Sequence, residues 1–166
     1  MTRLVLSALT LWPLLLTPAA QAQTTAVTCA GTLSGRTVNG DVQVRAGTTC
    51  TLVNARVAGD VEVPRGGRLI LRNSEVRGDV EGDAGFWEIV LTASVVRGDV
   101  DAQRGGIVIL ANIRVEGDVE LERNTGTVRL SRVTVQGDLE CGGNARRPVG
   151  GNNRVDGQRG GQCRTL

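Results

Sequence analysis

Several residue types that carry enzyme chemistry are missing or nearly missing from this chain of 166 residues. It has no histidine, no lysine and no tyrosine, and only one phenylalanine and two tryptophans. Without histidine there is no side chain that titrates by default near neutral pH, no imidazole metal ligand, and no Ser-His or Cys-His nucleophile pair. These absences exclude the commonest acid–base and nucleophilic mechanisms, and we predict that the chain is not an enzyme.

An excess of one charge sign is absent as well. All 19 basic residues are arginine, and they face 17 acidic residues, which leaves a net charge of +2. A balance this close to neutral produces no global field that would recruit a polyanion such as nucleic acid. We therefore expect no nucleic-acid partner.

Long apolar runs are confined to the N-terminus. Arg3 precedes an apolar stretch from Leu4 to Leu16, and Ala20-Gln21-Ala22 matches a small-x-small cleavage site. We predict a signal peptide over residues 1–22, cleaved between Ala22 and Gln23, and a single domain over residues 23–166. A membrane anchor is the alternative, but the run is shorter than the roughly 20 residues needed to span a bilayer. The expected location is secreted, or cell-envelope or periplasmic, with no membrane span in the mature protein.

The chain contains one short phrase, Gly-Asp, repeated at an almost constant spacing. Its glycines are Gly40, Gly59, Gly78, Gly98, Gly117 and Gly137, followed by the decayed copy Gly157-Gln158, so successive steps are 19 or 20 residues. Such a period is too short for a pair of helices and matches one coil of a solenoid. Alternation of apolar residues supports this, because the positions of Leu69 and Leu71 are also apolar in register on the other coils. Such a period-2 pattern is typical of a strand with one face turned inward.

The alternation changes phase once within each repeat, which predicts a corner. The residues at this corner are Asn54, Asn73, Ala93, Asn112, Arg132 and Asn152. Asparagine tolerates the left-handed conformation that a tight corner needs. Three short strands per repeat make a parallel β-helix of about six coils with 19–20 residues each. An antiparallel sandwich is the competing architecture, but it does not require identity at a fixed period.

The Val-x-Gly-Asp-Val pattern over residues 38–140 resembles the bactofilins, cytoskeletal right-handed β-helices that polymerise end to end. That resemblance implies a right-handed coil. Bactofilins are cytoplasmic, whereas this chain carries a predicted signal peptide and paired cysteines. Its Gly- and Asn-rich tail, residues 137–163, resembles a group of exported bacterial β-helix repeat proteins, which implies an extracytoplasmic location.

Four cysteines form two pairs, one near each end: Cys29 with Cys50, and Cys141 with Cys163. The spacings of 21 and 22 residues are close to one coil. Stacked strands lie about 4.8 Å apart, within the reach of a disulfide. Because the two ends are several coils apart, only these pairings are compatible with the stack, and one metal ion cannot gather all four thiolates. We predict two disulfides that staple the ends, and a C-terminal cap that begins near residue 142.

Eleven of the acidic residues fall into two neighbouring columns that run along the predicted coils. One column is Asp41, Asp60, Asp79, Asp99, Asp118 and Asp138, and the other is Gln43, Glu62, Glu81, Asp101, Glu120 and Glu140. Two carboxylates about 5 Å apart repel by roughly 0.8 kcal/mol in water. The first column is predicted to be a turn ladder, in which each carboxylate oxygen accepts a hydrogen bond from a backbone N–H group. Arg77 and Arg97 are predicted to neutralise its charge.

An alternative for these columns is a row of divalent cation sites. Extracellular repeat proteins bind calcium through Asp-rich turns. The residues that would form such a site here are Asp79, Glu81, Asp99 and Asp101. Calcium is accordingly the one cofactor that the sequence suggests.

The function that these observations predict is structural or adhesive, at the cell surface or in the extracellular matrix, with a polysaccharide or envelope polymer as partner. The alternative is a polysaccharide lyase or hydrolase, since acid pairs such as Asp99 and Asp101 suit glycoside chemistry. However, no long loop interrupts the repeats to wall a pocket. Trp87 is a candidate exposed contact, although filling the core would explain it equally well, and Phe86 is a predicted corner residue. The oligomeric state is not indicated.

Overall fold

The computed structural model describes residues 26–166, so the predicted signal peptide lies outside the described residues. The chain forms an all-β parallel solenoid in which three parallel sheets of seven strands each run along its length. This confirms the predicted β-helix. It has one more coil than the six intact Gly-Asp repeats suggested, because the first coil, residues 27–38, precedes the first of those phrases.

The strands follow in chain order, three to a coil. The first four coils contain β1 (Val27–Cys29), β2 (Gly31–Ser34), β3 (Thr37–Val38), β4 (Val42–Val44), β5 (Thr49–Val53), β6 (Arg56–Val57), β7 (Val61–Val63), β8 (Arg68–Arg72), β9 (Glu75–Val76), β10 (Val80–Gly82), β11 (Glu88–Thr92) and β12 (Val95–Val96). The last three contain β13 (Val100–Gln103), β14 (Ile107–Ala111), β15 (Arg114–Val115), β16 (Val119–Glu122), β17 (Val128–Ser131), β18 (Thr134–Val135), β19 (Leu139–Gly142), β20 (Val149–Gly151) and β21 (Arg154–Val155).

Each sheet collects one strand from every coil. Sheet 1 contains the first strand of each coil, sheet 2 the second and sheet 3 the third, and every pairing is parallel. The register aligns equivalent residues, for example Val80 with Val61 and with Val100. Residues at one position of the repeat therefore form a continuous column along the solenoid.

The core consists of the inward columns of the three sheets. Their members include Val61, Val80, Val100 and Val119 in sheet 1, Leu52, Leu71, Leu91 and Leu110 in sheet 2, and Val57, Val76, Val96 and Val115 in sheet 3, and all are buried. Burying a valine or leucine side chain contributes about 1.5–3 kcal/mol. Period-2 alternation thus specifies the inward face of the strands between the two terminal coils, as the sequence predicted.

The corner between sheets 2 and 3 uses the left-handed backbone on six successive coils. Its members are Asn54, Asn73, Ala93, Asn112, Arg132 and Asn152, with φ between 48° and 58°. The Asn73 amide donates a hydrogen bond to the Asn54 side-chain oxygen of the preceding coil. The predicted asparagine corner is confirmed, and alanine and arginine occupy the same conformation where the asparagine is lost.

Both disulfides form as predicted, and both lie in the core. Cys29 joins Cys50 and Cys141 joins Cys163, with Cα–Cα distances of 5.5 and 5.3 Å. The first pair connects sheet 1 of the first coil to sheet 2 of the second coil, across the interior. No free cysteine occurs in residues 26–166.

The C-terminal end continues the coil and then folds onto it. Residues 149–155 supply the last strands of sheets 2 and 3, and Leu139 pairs with Arg159 in parallel. A 3₁₀ helix, Gly161–Cys163, packs beside β19, where the Gln162 side chain exchanges hydrogen bonds with the backbone of Asn144. Leu166 packs against the core.

Candidate functional site

The aspartates of the Gly-Asp repeats are used by the fold itself. The Oδ1 atom of each aspartate accepts a hydrogen bond from the backbone N–H of the equivalent residue on the next coil, over 2.7–3.1 Å. The ladder runs from Asp41 to Asp138 and ends on the N–H of Gln158. The predicted turn ladder is therefore present on every step.

The glycine before each aspartate from Asp60 to Asp138 is required by space. A Cβ atom on Gly78 would come within 1.9 Å of the Asp60 Oδ1 atom, and one on Gly98 within 2.0 Å of the Asp79 Oδ1 atom. Each would also approach the backbone of the preceding glycine to 2.8 Å. The backbone φ is not positive at these glycines, so their conformation does not demand glycine. Glycine is needed because successive coils lie too close together for a Cβ atom.

The second acidic column lies on the outer face of sheet 1. Glu62 pairs in register with Glu81, Glu81 with Asp101, and Asp101 with Glu120. Partial burial, and then the neighbouring carboxylates, raise the pKa of Glu81 and Glu120. Burial also raises the pKa of Asp101, whose Oδ2 atom accepts a hydrogen bond from Gln103 at 3.1 Å, while its Oδ1 atom has no partner. The face is therefore an acidic surface, which Arg123 compensates only near Glu120 and Glu122.

The arginines predicted to neutralise the aspartate column lie elsewhere, and that prediction was wrong. The Nε atom of Arg97 lies 2.8 Å from Glu75 Oε1, and Arg77 and Arg56 also contact Glu75. The hydrogen bond from Arg97, with the charges of all three arginines, lowers the pKa of Glu75. These groups stand on the sheet 3 side of the coil, where Arg97 and Arg114 also contact Glu116.

The residues suggested for cation binding are only partly available. Asp79 and Asp99 each use Oδ1 in the turn ladder, and the side chains of Glu81 and Asp101 lie on sheet 1 two positions further along the chain. Within residues 26–166, no group of three or more Asp, Glu, Cys or His side chains is arranged to hold a metal ion.

Trp87 forms the most distinctive feature of the surface. Its neighbour Phe86 is 2% exposed and fills the corner between sheets 1 and 2, whereas Trp87 is 62% exposed. The Arg68 guanidinium carbon lies 5.6 Å from the centroid of the indole ring, within the range of a cation–π contact. Trp87 is therefore exposed and does not fill the core, and its use as a contact stays a prediction.

Shallow grooves flank Trp87 on both sides. One, of about 250 Å³, is lined by Gly47, Thr48, Thr49, Gly66, Arg68 and Trp87. The other, of about 450 Å³, is lined by Trp87 with Gly85, Arg104, Gly105, Gly106, Ile107 and their neighbours. Glycine leaves the backbone floor of a groove uncovered, so a flat ring can approach it closely. We call Trp87, these two grooves and Arg65 beside them the Trp87 corner.

Arg104 belongs to this corner for an unusual conformational reason. The corner between sheets 1 and 2 has a left-handed residue on successive coils, and this residue is Gly47, Gly66 or Gly85 on earlier coils. On the next two coils it is Arg104, with φ of 54°, and Arg123, with φ of 51°. The left-handed region costs a non-glycine residue about 1–2 kcal/mol. The sequence reasoning missed Arg104 and Arg68; reading Arg104 in register with the glycines would have singled it out.

Comparison with protein-family models, with curated proteins and with solved structures finds no significant match. The likeness to bactofilins therefore rests on the Val-x-Gly-Asp-Val pattern. In the part of the chain that the structure describes, no helix has the length and apolar character needed to cross a bilayer.

Proposed function

We propose that this chain is an exported, non-catalytic β-solenoid that serves as a structural or adhesive element at the cell surface or in the extracellular matrix, where it holds a polysaccharide or envelope polymer. The observation that carries the proposal is the Trp87 corner, which places an exposed indole between two shallow open grooves on a rigid, repetitive surface. Exposed aromatic side chains are typical of contacts that are apolar on one face and wet at the edge.

Export is supported by the cysteines. Both pairs are closed as disulfides, which persist in oxidising compartments and are rare in the cytosol. This agrees with the predicted signal peptide of residues 1–22 and supports the proposal that the mature protein lies in the periplasm, the envelope or the medium.

A non-catalytic role is supported by the use of the acidic residues. The aspartates are equivalent on successive coils, and the Oδ1 atom of each accepts a hydrogen bond from the backbone N–H of the equivalent residue on the next coil. An enzyme site needs acid and base groups with environments that push their pKa values apart at one place. Here the pKa values of Glu81, Asp101 and Glu120 are all shifted in the same direction.

The experiment is a binding survey with the oxidised, processed protein. Cosedimentation with insoluble polymers, and affinity electrophoresis in gels that contain soluble ones, should show retention by at least one acidic or neutral polysaccharide or by a cell-wall preparation. Retention by none would contradict the proposed function. Release of new reducing ends from a retained polymer would contradict the non-catalytic part and favour the lyase or hydrolase alternative.

A further inference from the structure

We infer that the Trp87 corner is a binding site for an acidic polysaccharide, a chain of sugar rings that carry carboxylates. The inference rests on the proposed function and adds the chemical class of the ligand and the residues that recognise it. Three observations carry it: the exposed indole, the glycine floor beside it, and arginines with no carboxylate partner.

The indole supplies a platform for a sugar ring. The apolar C–H face of a pyranose ring stacks on a flat aromatic surface, and Trp87 is exposed over 62% of its area. Arg68 lies near the ring and is fixed by an ion pair in which its Nε atom is 2.9 Å from Glu88 Oε2. The platform is therefore held in place before any ligand arrives, which lowers the entropic cost of binding.

The floors of the two grooves allow a chain of rings to pass on either side of the indole. Gly47 and Gly66 are in the left-handed conformation, with φ of 70° at both. A Cβ atom built on Gly47 meets nothing within 4 Å, so that position opens directly to solvent. The grooves follow the corner from coil to coil, parallel to the axis of the solenoid, and they match an extended ligand better than a compact one.

Unpaired arginines select for negative charge. Among the described residues, the ion pairs within 4 Å include Arg68 but neither Arg65 nor Arg104. Both side chains are exposed. Arg123 has the same left-handed backbone as Arg104 on the next coil but pairs with Glu122, so Arg104 differs from it by lacking a carboxylate partner. A planar guanidinium matches a carboxylate with two parallel hydrogen bonds.

The charge of the neighbouring surfaces directs such a ligand to the sheet 2 side of the corner. On the sheet 1 side, Glu81, Asp83 and Asp101 line a groove that Arg104 also reaches, and they repel an anion. On the outer face of sheet 2, the strands between Thr49 and Ser131 contain one acidic residue, Glu88, which is paired with Arg68. The exposed Arg72 and Arg129 add positive charge to that face.

A chain-like ligand fits this surface better than a lipid bilayer or a second copy of the protein. The outward apolar residues of sheet 2 in register with one another, Ile70, Val90 and Ile109, are only partly exposed. Trp87 is the one strongly exposed large apolar side chain near the middle of the described solenoid, since Val27 and Val149 lie towards its ends. A single exposed indole with a groove on each side therefore fits an extended polymer chain better than a flat surface.

The test uses affinity electrophoresis and titration calorimetry of the oxidised protein with polygalacturonate, and with its fully methyl-esterified form as the neutral match. We expect binding to polygalacturonate that weakens steeply as sodium chloride is raised, because the contacts to the arginines are exposed and screened by salt. Binding to the ester should be at least about tenfold weaker, a factor equal to about 1.4 kcal/mol.

Two variants and two matched controls locate the site. Trp87→Ala and Arg104→Gly should each weaken binding about tenfold, and Arg104→Gly should not lower the melting temperature because glycine occupies the equivalent position on other coils. The controls are Val149→Ala, an exposed apolar residue of sheet 2 near the C-terminal end, and Arg154→Gln, an exposed arginine on sheet 3. Both controls should bind like the wild type.

The outcomes separate the inference from the proposed function. If polymers are bound but Trp87→Ala and Arg104→Gly bind as well as the wild type, the site is wrong and the function stands. Equal affinity for the acid and its ester would overturn the ligand class. Trp87-dependent binding to anionic lipid vesicles, or Trp87-dependent dimerisation, without binding to polygalacturonate would overturn the choice of occupant. Retention by no polymer at all would remove both proposals.

Discussion

Sheets 1 and 2 share one backbone design and present opposite chemistry to the solvent. Both are built from seven parallel strands with buried inward columns. Outward, sheet 1 carries the column Gln43, Glu62, Glu81, Asp101, Glu120 and Glu140, whereas sheet 2 carries Thr32, Thr51, Ile70, Val90, Ile109, Arg129 and Val149. The difference shows that the inward and corner residues specify the coil, whereas the outward residues can vary and give each face its own surface chemistry.

The largest effect should come from breaking the inward column of sheet 1 beside an untouched outward one. Val100 is fully buried, so Val100→Asp places an unpaired charge in a dry stack and should cost more than about 4 kcal/mol, enough to prevent folding. Glu81→Gln, on the outer face of the adjacent coil, should fold normally. Far-ultraviolet circular dichroism measures both. Equal loss of strand signal in the two variants would contradict the division between inward and outward columns.

The next effect concerns the bond that ties the two sheets together at the N-terminal end. Replacing both Cys29 and Cys50 by alanine should lower stability by about 3 kcal/mol, because closing a loop of this length restricts the unfolded chain. Thermal unfolding with and without reductant measures the loss. Mass mapping of unreduced peptides is the control, and a Cys50–Cys141 link would refute the stack.

The ladder that joins coils along the edge of sheet 1 should give a smaller effect. Asp99→Ala leaves the N–H of Asp118 without its acceptor and should cost about 1 kcal/mol. Asp99→Asn keeps a side-chain oxygen in place and removes one repelling charge, so it should cost less. Chemical denaturation measures both. If asparagine proves as costly as alanine, the charge and not the hydrogen bond supports the turn.

Sheets 1 and 3 should respond to pH with opposite sign. The raised pKa values of Glu81 and Glu120 mean that the folded state binds protons more tightly, so their contribution is fully present below their ordinary pKa of 4.5 and is lost as pH rises through the raised values. Glu75 has a lowered pKa, so its contribution is present above 4.5 and is lost as pH falls through the lowered value. Melting curves of Glu81→Gln with Glu120→Gln, against Glu75→Gln, over pH 3–7 should therefore diverge in opposite directions. Parallel curves would contradict the assignment.

The smallest effect is expected for calcium. Because Oδ1 of Asp79 and of Asp99 is already bonded to backbone, millimolar calcium should raise the melting temperature no more than sodium chloride of equal ionic strength. The double variant Asp79→Asn with Asp99→Asn should behave alike. A calcium-specific rise that disappears in this variant would instead support the cation-binding alternative and turn the acidic face of sheet 1 into a functional surface.

The coil was predictable because it is encoded many times. Each inward valine and each corner asparagine repeats at fixed spacing, so one position informs the rest, and the disulfide pairing followed from the same period. The ion pairs of Arg77 and Arg97 were not predictable, because a long side chain at a corner reaches either of two faces. The Trp87 corner was predicted only in part. Trp87 was recognised as a candidate contact from the sequence, whereas Arg104 could be recognised only after the coils were aligned with one another.

The position of the two disulfides has a consequence for how long the folded protein resists proteolysis. Each coil of a solenoid contacts only the adjacent coils, so the terminal coils unfold most easily. A protease can then cut the unfolded segment. Here the first coil is linked to the second, and the C-terminal 3₁₀ helix to the last strand of sheet 1. In oxidising surroundings unfolding from either end is blocked, whereas a reducing environment releases both ends for degradation. The stapled ends thus make the lifetime of the protein depend on its compartment.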